Sequence, residues 1–180
     1  MAEHSAVRRT PAIPATAGLR LLPPSARFIL RAQPHAIQSA GAALGIDVAP
    51  AACRASQGGT RAALWLGPDE YLILAPEAEA PVLARILEDA LRSEPHSFVE
   101  VSHRQTALEI RGPRVEDTLN SACPLDLDVR AFAVGMCTRT VFAKAEIVLW
   151  RTAADVFRLE VWRSFTDYVA SFLDEVVREY

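Results

Sequence analysis

The same pattern occurs twice in this sequence, as ALWLGPDEYLIL at residues 63–74 and as EIVLWRTAADVFRLEV at residues 146–161. In each stretch two apolar runs flank a short polar segment, which is typical of a β-hairpin. Each hairpin precedes an amphipathic helical pattern, PVLARILEDAL at residues 81–91 and DYVASFLDEVV at residues 167–177. Two copies of one hairpin-and-helix pattern predict a duplicated structural unit.

The elements before each hairpin extend this repeat. Strands are predicted at residues 26–32 and 106–111, and a helix follows each, beginning at Pro34 in the first half and after Gly112-Pro113 in the second. The amphipathic helices need a sheet face against which to bury their apolar stripes. We therefore predict an α+β fold of duplicated β-α-β-β-β-α units, with antiparallel sheets that carry helices on one side.

The length of 180 residues fits one compact domain made of two small subdomains. We expect a mobile N-terminal tail over residues 1–24, because this segment is rich in Ala and Pro and shows no periodicity. An extended arm that becomes ordered on a partner is the alternative. The first subdomain is predicted at 25–96 and the second at 97–180, which begins with a strand at 98–102.

Composition excludes several classes of protein. The formal net charge is −3, with 19 Lys+Arg against 22 Asp+Glu. This balance argues against a nucleic-acid partner, which requires a basic face. The apolar fraction of 51% argues against disorder. Because no stretch approaches the roughly 18 uninterrupted apolar residues of a membrane helix, we expect no membrane partner.

The three cysteines are Cys53, Cys123 and Cys137, an odd number without a CxxC pair. Such spacing is typical of free thiols in a reducing compartment. The N-terminus also lacks the continuous apolar core of a signal peptide. We therefore expect a cytoplasmic protein.

The motifs that usually carry chemistry are missing from this sequence. It contains no GxGxxG, Walker A, GxSxG or HExxH motif, and its four histidines are isolated. No catalytic, cofactor-binding or metal-binding residue is therefore predicted. The most polar cluster is SHRQ at residues 102–105. An acid–base role for its His103 is one interpretation, and a turn that faces solvent or a partner is the favoured one.

Five residues are candidates for contact with a partner protein. Trp162 shares a predicted strand face with polar side chains, and an aromatic residue on a polar face is typical of an interface. His103 and Arg104 belong to the polar turn before the strand at 106–111. The basic tail contributes Arg8 and Arg9.

The second half resembles a known superfamily. VEVSHRQ at 99–105 and LEIRGP at 108–113 resemble the folate-binding aminomethyltransferases related to the glycine cleavage T-protein. Further segments resemble the gamma-subunit family of heterotetrameric sarcosine oxidases. These are CPLDL at 123–127, FAVGMCTRT at 132–140, KAEI at 144–147, LWR at 149–151, FRLEV at 157–161 and RSF at 163–165. The resemblance is strong over 98–180, weaker over 26–91, and does not include the tail.

The resemblance implies the duplicated folate-binding-domain fold and an accessory, non-catalytic role. The complex would oxidatively demethylate sarcosine to glycine, produce hydrogen peroxide and transfer the one-carbon unit to tetrahydrofolate. The implied partners are alpha, beta and delta subunits, and FAD, FMN, NAD, tetrahydrofolate and zinc would lie on those subunits rather than on this chain. We expect the isolated chain to self-associate, and whether it forms a homodimer stays open.

The alternative function is that of a free-standing folate-binding or aminomethyltransferase-like protein. Such a protein needs an acidic group beside the folate and an aromatic wall. Asp69 and Glu100 are the acidic candidates in this sequence. The short length favours the subunit over this alternative, because the T-protein has a further C-terminal domain.

Overall fold

The computed structural model describes residues 18–48 and 51–179, in which ten strands and four α-helices alternate. Short 3₁₀ turns at Glu77–Glu79 and Arg163–Phe165 lead into the second and fourth helices. The elements are β1 Leu19–Leu21, β2 Ser25–Ala32, α1 Pro34–Leu44, β3 Ala55–Gly58, β4 Arg61–Gly67, β5 Glu70–Pro76, α2 Ala80–Leu91, β6 His96–Glu100, β7 Gln105–Arg111, α3 Val115–Asn120, β8 Cys137–Phe142, β9 Ala145–Ala153, β10 Val156–Trp162 and α4 Thr166–Glu179. Both predicted hairpins and the helix that follows each are present.

The strands form two five-stranded antiparallel sheets. The first has the order β3-β4-β5-β2-β6 and the second has the order β1-β7-β10-β9-β8. When the second order is reversed to β8-β9-β10-β7-β1, the two sheets correspond strand for strand. The predicted α+β fold with duplicated antiparallel units is therefore confirmed. One further strand precedes the β-α-β-β-β-α pattern in each unit: β6 is the strand predicted at 98–102, whereas β1 was not predicted.

These two additional strands are exchanged between the units. In β1, Leu19 lies opposite Ile110 of β7, at the edge of the second sheet. In β6, Phe98 lies opposite Leu30 of β2, at the edge of the first sheet. Each unit thus donates its first strand to the other unit's sheet.

The exchange differs from the predicted boundaries at residues 24/25 and 96/97. The strand predicted to open the second subdomain completes the first sheet, because Phe98 stacks on Phe28 with ring centroids 4.8 Å apart. A strand at Leu19–Leu21 lies within the segment predicted as a tail. Residues 1–17 of that segment lie outside the described residues.

The two sheets stack between two layers of helices. Helices α1 and α2 cover the outer face of the first sheet, and α3 and α4 cover that of the second. A third apolar cluster joins the inner faces. Its buried members are Ala62, Leu64, Leu72, Leu74, Cys137, Val148 and Trp150.

A buried ion pair also joins the inner faces. The Nε of Arg27, on β2, donates to Oε2 of Glu160, on β10, at 2.6 Å, and both side chains are at most 2% exposed. Arg158 donates to the other Glu160 oxygen at 2.8 Å. Burying charges is costly unless each is paired, so removing one partner destabilises far more than the pair itself contributes.

The long connection from α3 to β8 is fixed by a second buried arginine. Arg151 is 1% exposed and donates to the carbonyl oxygens of Leu127 at 2.9 Å and Phe132 at 3.0 Å. It also pairs with Glu116 and lies 4.9 Å from the ring centroid of Phe157. This connection has no helix or strand to pair its backbone carbonyls, so the Arg151 guanidinium supplies the hydrogen bonds instead.

Candidate partner interface

Three of the five predicted interface residues lie at one end of the second sheet. Trp162 ends β10 and faces Gln105, the first residue of β7. The guanidinium carbon of Arg104 lies 5.0 Å from the ring centroid of Trp162, a cation–π contact. His103 is exposed in the turn just before Arg104. The structure thus brings Arg104 and Trp162 into contact, with His103 next to Arg104 in the chain, whereas Arg8 and Arg9 lie outside the described residues.

The turn that carries His103 and Arg104 is held by hydrogen bonds at both ends. The Ser102 hydroxyl donates to Oε1 of Glu100 at 2.8 Å and accepts from the backbone N–H of Arg27 at 3.0 Å. The N–H of Arg163 donates to the Arg104 carbonyl at 3.0 Å. Ser102 therefore orders the turn.

Further exposed aromatic side chains follow Trp162 in sequence, in the 3₁₀ turn and along the start of α4. We call Trp162, Phe165, Tyr168 and Phe172 the aromatic patch. The first three are 39%, 41% and 38% exposed. Tyr168 makes edge-on contacts with Phe165 and Phe172, each with centroids 6.4 Å apart, and Phe172 contacts the buried Phe142 at 5.3 Å. The patch is therefore an ordered surface that is anchored in the core.

Sequence reasoning found only one member of this patch. The pattern of α4 places Phe165, Tyr168 and Phe172 on the same apolar stripe as Val169 and Leu173. In the structure Val169 and Leu173 are fully buried, whereas Phe165 and Tyr168 are exposed. The sequence did contain a signal for these exposed aromatic residues. The apolar stripe of α4 is wider than the part of a helix that one sheet face buries.

Two polar atoms beside the patch are unsatisfied. Within the described part of the chain, Nε of Arg104 and Oε1 of Gln105 are buried without a hydrogen-bond partner. A buried polar atom without a partner costs about 1–3 kcal/mol. This end of the second sheet therefore has unmet hydrogen-bonding capacity next to exposed aromatic area.

A small cleft lies on the first unit, away from the patch. Its volume is about 290 Å³, at the lower limit for ligand pockets. Burial raises the pKa of Tyr71, one of its aromatic residues, and the Gln38 amide is bonded to the carbonyl of Val48 at 2.9 Å. The lining residues are Pro34, Ile37, Gln38, Ala52, Trp65, Pro68 and Tyr71.

The acidic candidates for a folate site do not join this cleft. Asp69 is half exposed and pairs with Arg31 at 3.1 Å, while Glu100 is exposed and binds Ser102. No carboxylate is among the described residues that line the cleft. Across residues 18–48 and 51–179, no three His, Cys, Asp or Glu side chains cluster as metal ligands. Likewise, none of the helices described is long and apolar enough to cross a membrane.

Comparison with solved structures first identifies the type of fold. Aminomethyltransferase T of the glycine cleavage system from Bartonella henselae superposes with a TM-score of 0.66 over 87% of this chain and 45% of that protein. The sequence identity of 13% is low, so this likeness shows the fold alone. The two stacked units with exchanged strands are thus of the T-protein type.

Sequence comparison narrows the class to one family. The family model described as "Sarcosine oxidase, gamma subunit family" matches residues 31–179. Sarcosine oxidase subunit gamma from Corynebacterium sp. (strain U-96) is 32% identical over 178 residues, which are 99% of this chain and 82% of that relative. The Arthrobacter sp. protein of the same name is 33% identical and aligns with 91% of this chain and 75% of its own length. The chain belongs to the sarcosine oxidase gamma subunit family.

A solved structure agrees with this assignment. A chain of the heterotetrameric sarcosine oxidase from Corynebacterium sp. U-96 superposes with a TM-score of 0.83 at 32% identity. The match includes 89% of this chain and 83% of that one. The resemblance seen in the sequence is therefore confirmed, and it extends into the first unit.

Proposed function

We propose that this chain is the accessory, non-catalytic gamma subunit of a heterotetrameric sarcosine oxidase. The complex demethylates sarcosine oxidatively to glycine, produces hydrogen peroxide and transfers the one-carbon unit to tetrahydrofolate. The observation that carries the proposal is the agreement in sequence and fold, along nearly the whole chain, with a chain of such a heterotetramer.

In this proposal the chemistry belongs to the neighbouring subunits. Alpha, beta and delta chains are the partners, and they hold FAD, FMN, NAD, tetrahydrofolate and zinc. The sequence of the gamma chain supports this division of labour, because it lacks phosphate-binding and nucleophile motifs. Three free cysteines support a cytoplasmic complex.

The aromatic patch and the Arg104 turn are proposed to contact another subunit. Trp, Tyr and Arg are the residue types that most often dominate binding energy at protein interfaces. Here Arg104 packs on the partly exposed Trp162, and the partly exposed Tyr168 contacts Phe172 on the helix that follows.

The test is co-expression of the tagged chain with alpha, beta and delta subunits. We expect affinity purification to return a yellow complex with equimolar subunits and a flavin absorption spectrum, whereas the chain expressed alone is colourless. A stable monomer that never co-purifies with a flavoprotein would contradict the proposal. Calorimetry of the isolated chain with a reduced folate is the companion measurement, in which micromolar binding would favour the free-standing folate protein instead.

A further inference from the structure

Two of the three cysteines come from different units and lie next to each other. Arg54 and Met136 form an antiparallel bridge just before β3 and β8. On one side of it the N–H of Cys137 donates to the carbonyl of Cys53 at 3.0 Å. In a regular antiparallel ladder, opposed residues that exchange both backbone bonds have Cα atoms about 5.5 Å apart; Cys53 and Cys137 share one such bond, and Cys53 has a positive φ of 56°. Disulfides span about 4.4–6.8 Å between Cα atoms, so the backbones are close enough to be linked.

The two thiols differ in their access to solvent. Cys53 is half-buried and lies in the turn before β3. Cys137 is fully buried in the apolar cluster between the sheets, with its Sγ 3.6 Å from the carbonyl oxygen of Trp65. Burial, with a smaller contribution from nearby Cys53, raises the pKa of the Cys137 thiol to about 12. A small oxidant therefore reaches Cys53 first and finds Cys137 beside it as a neutral thiol.

We propose that Cys53 and Cys137 form a reversible, peroxide-dependent disulfide that links the two units. Hydrogen peroxide oxidises the Cys53 thiol to a sulfenic acid and releases one water molecule. Cys137 then loses its proton and its sulfur attacks the Cys53 sulfur, so that the S–S bond forms, the S–O bond breaks, and the hydroxyl group leaves with that proton as a second water molecule. Two electrons pass from the two thiols to the peroxide, and a thiol reductant returns both cysteines to the free state.

The Cys53–Cys137 site and the source of the hydrogen peroxide are supported by different observations. The opposition of the two cysteines is a property of this chain. The peroxide comes from sarcosine turnover only if the proposed function is correct. The link closes a long loop, residues 53–137, that contains the end of the first unit and the start of the second, and constraining a long loop restricts the unfolded chain. We therefore expect the oxidised form to melt at a higher temperature than the reduced form.

The first experiment treats the full-length chain with hydrogen peroxide, alkylates the remaining thiols and maps its peptides by mass spectrometry. We expect a linked Cys53–Cys137 peptide, lighter by two hydrogen atoms than the two free peptides together, that disappears on reduction. Cys53→Ala, at a half-buried position in a turn, abolishes it. Cys123→Ala removes a buried thiol from another core cluster and retains it. Cys53 oxidised to sulfinic acid without a linked peptide, or a link through Cys123, would overturn the inference.

A second experiment supplies sarcosine instead of peroxide to the purified complex. We expect the same linked peptide to form during turnover and catalase to prevent it. If added peroxide links the cysteines but turnover does not, the assigned source of oxidant is overturned while the site stands. If no complex assembles and peroxide still links the isolated chain, the proposed function fails and the disulfide inference holds.

Discussion

The two units place different side chains on the same local structure. In each, a seven-residue strand, a three-residue 3₁₀ turn and an amphipathic helix follow one another without a gap. The backbone therefore provides a residue-by-residue match at the strand end and the first helical turn. The matched residues are Pro76 with Trp162, Glu79 with Phe165, and Val82 with Tyr168.

This difference separates what the fold requires from what it does not. The first unit completes the same turn with Glu79, which pairs with Arg61 at 2.8 Å. Farther along the helices, the matched residues Leu87 and Leu173 are both fully buried. The matched core position is thus a leucine in both units, whereas the matched surface positions carry different residues. Aromatic side chains are not needed to form this turn, which supports a role for the patch in binding a partner.

The largest expected effect comes from the inner face, where Glu160 of the second unit corresponds to Leu74 of the first. We expect Glu160→Leu alone to lower the free energy of unfolding by about 3–5 kcal/mol, because Arg27 then lies buried without a counter-charge. Arg27→Met combined with Glu160→Leu should recover most of this loss. Urea denaturation measures both variants, and a single variant as stable as the wild type would contradict the assignment of a buried pair.

The matched core leucines should respond alike. Leu87→Ala and Leu173→Ala each remove a fully buried side chain, and we expect each to lower the free energy of unfolding by about 2–5 kcal/mol. Because the units share both sheets, each variant should still unfold in a single transition. Calorimetry checks this, and the comparison of the units breaks down if one variant is neutral or if two transitions appear.

Exchanging surface residues should separate stability from assembly. We expect Phe165→Glu with Tyr168→Val, which gives the second unit the first unit's residues, to change the free energy of unfolding by about 1 kcal/mol or less. Binding to the other subunits should weaken by about 2 kcal/mol or more, roughly 30-fold in Kd. Val82→Ala in the first unit is the matched control and should leave binding unchanged. Equal binding by the exchanged variant would show that the patch faces solvent in the complex.

The smallest expected effect is a loss of stability in alkali that arises between the units. Burial raises the pKa of Cys137 from 9.0 to about 12, and burial also raises that of Tyr71. A raised pKa means that the folded state holds the proton more tightly, so the stability is complete below pH 9 and is lost as the pH rises toward 12. Cys137→Ala should flatten the fall in unfolding free energy above pH 9, whereas Cys123→Ala should not.

Local patterns were sufficient to predict most of the elements. The hairpin around Pro68 and Asp69 and the helix that begins at Pro34 follow from turn and proline chemistry within a few residues. Gly45 ends that helix in the left-handed conformation, with φ of 70°. These features depend only on neighbours in sequence, so a single sequence reveals them.

Features that depend on distant residues were missed. Strand β1 has three residues, which is too few for periodicity to show, and its partner is set by β7. Arg27 lies mid-strand, and nothing near it in sequence indicates Glu160 as its partner. The patch was recognised only at Trp162, because the coverage of α4 depends on where the sheet ends.

The exchange of β1 and β6 has a consequence for how the chain acquires its structure. Arg20 of β1 pairs with Glu109 of β7, 89 positions along the chain. During synthesis β6 completes the first sheet as soon as the first unit emerges, whereas β1 has no strand to join until β7 has been made. Contacts between distant residues also slow folding. Strand β1 therefore joins its sheet only after the first unit and β7 have been made, and the whole chain, rather than either unit, is the smallest piece that can fold with both sheets complete.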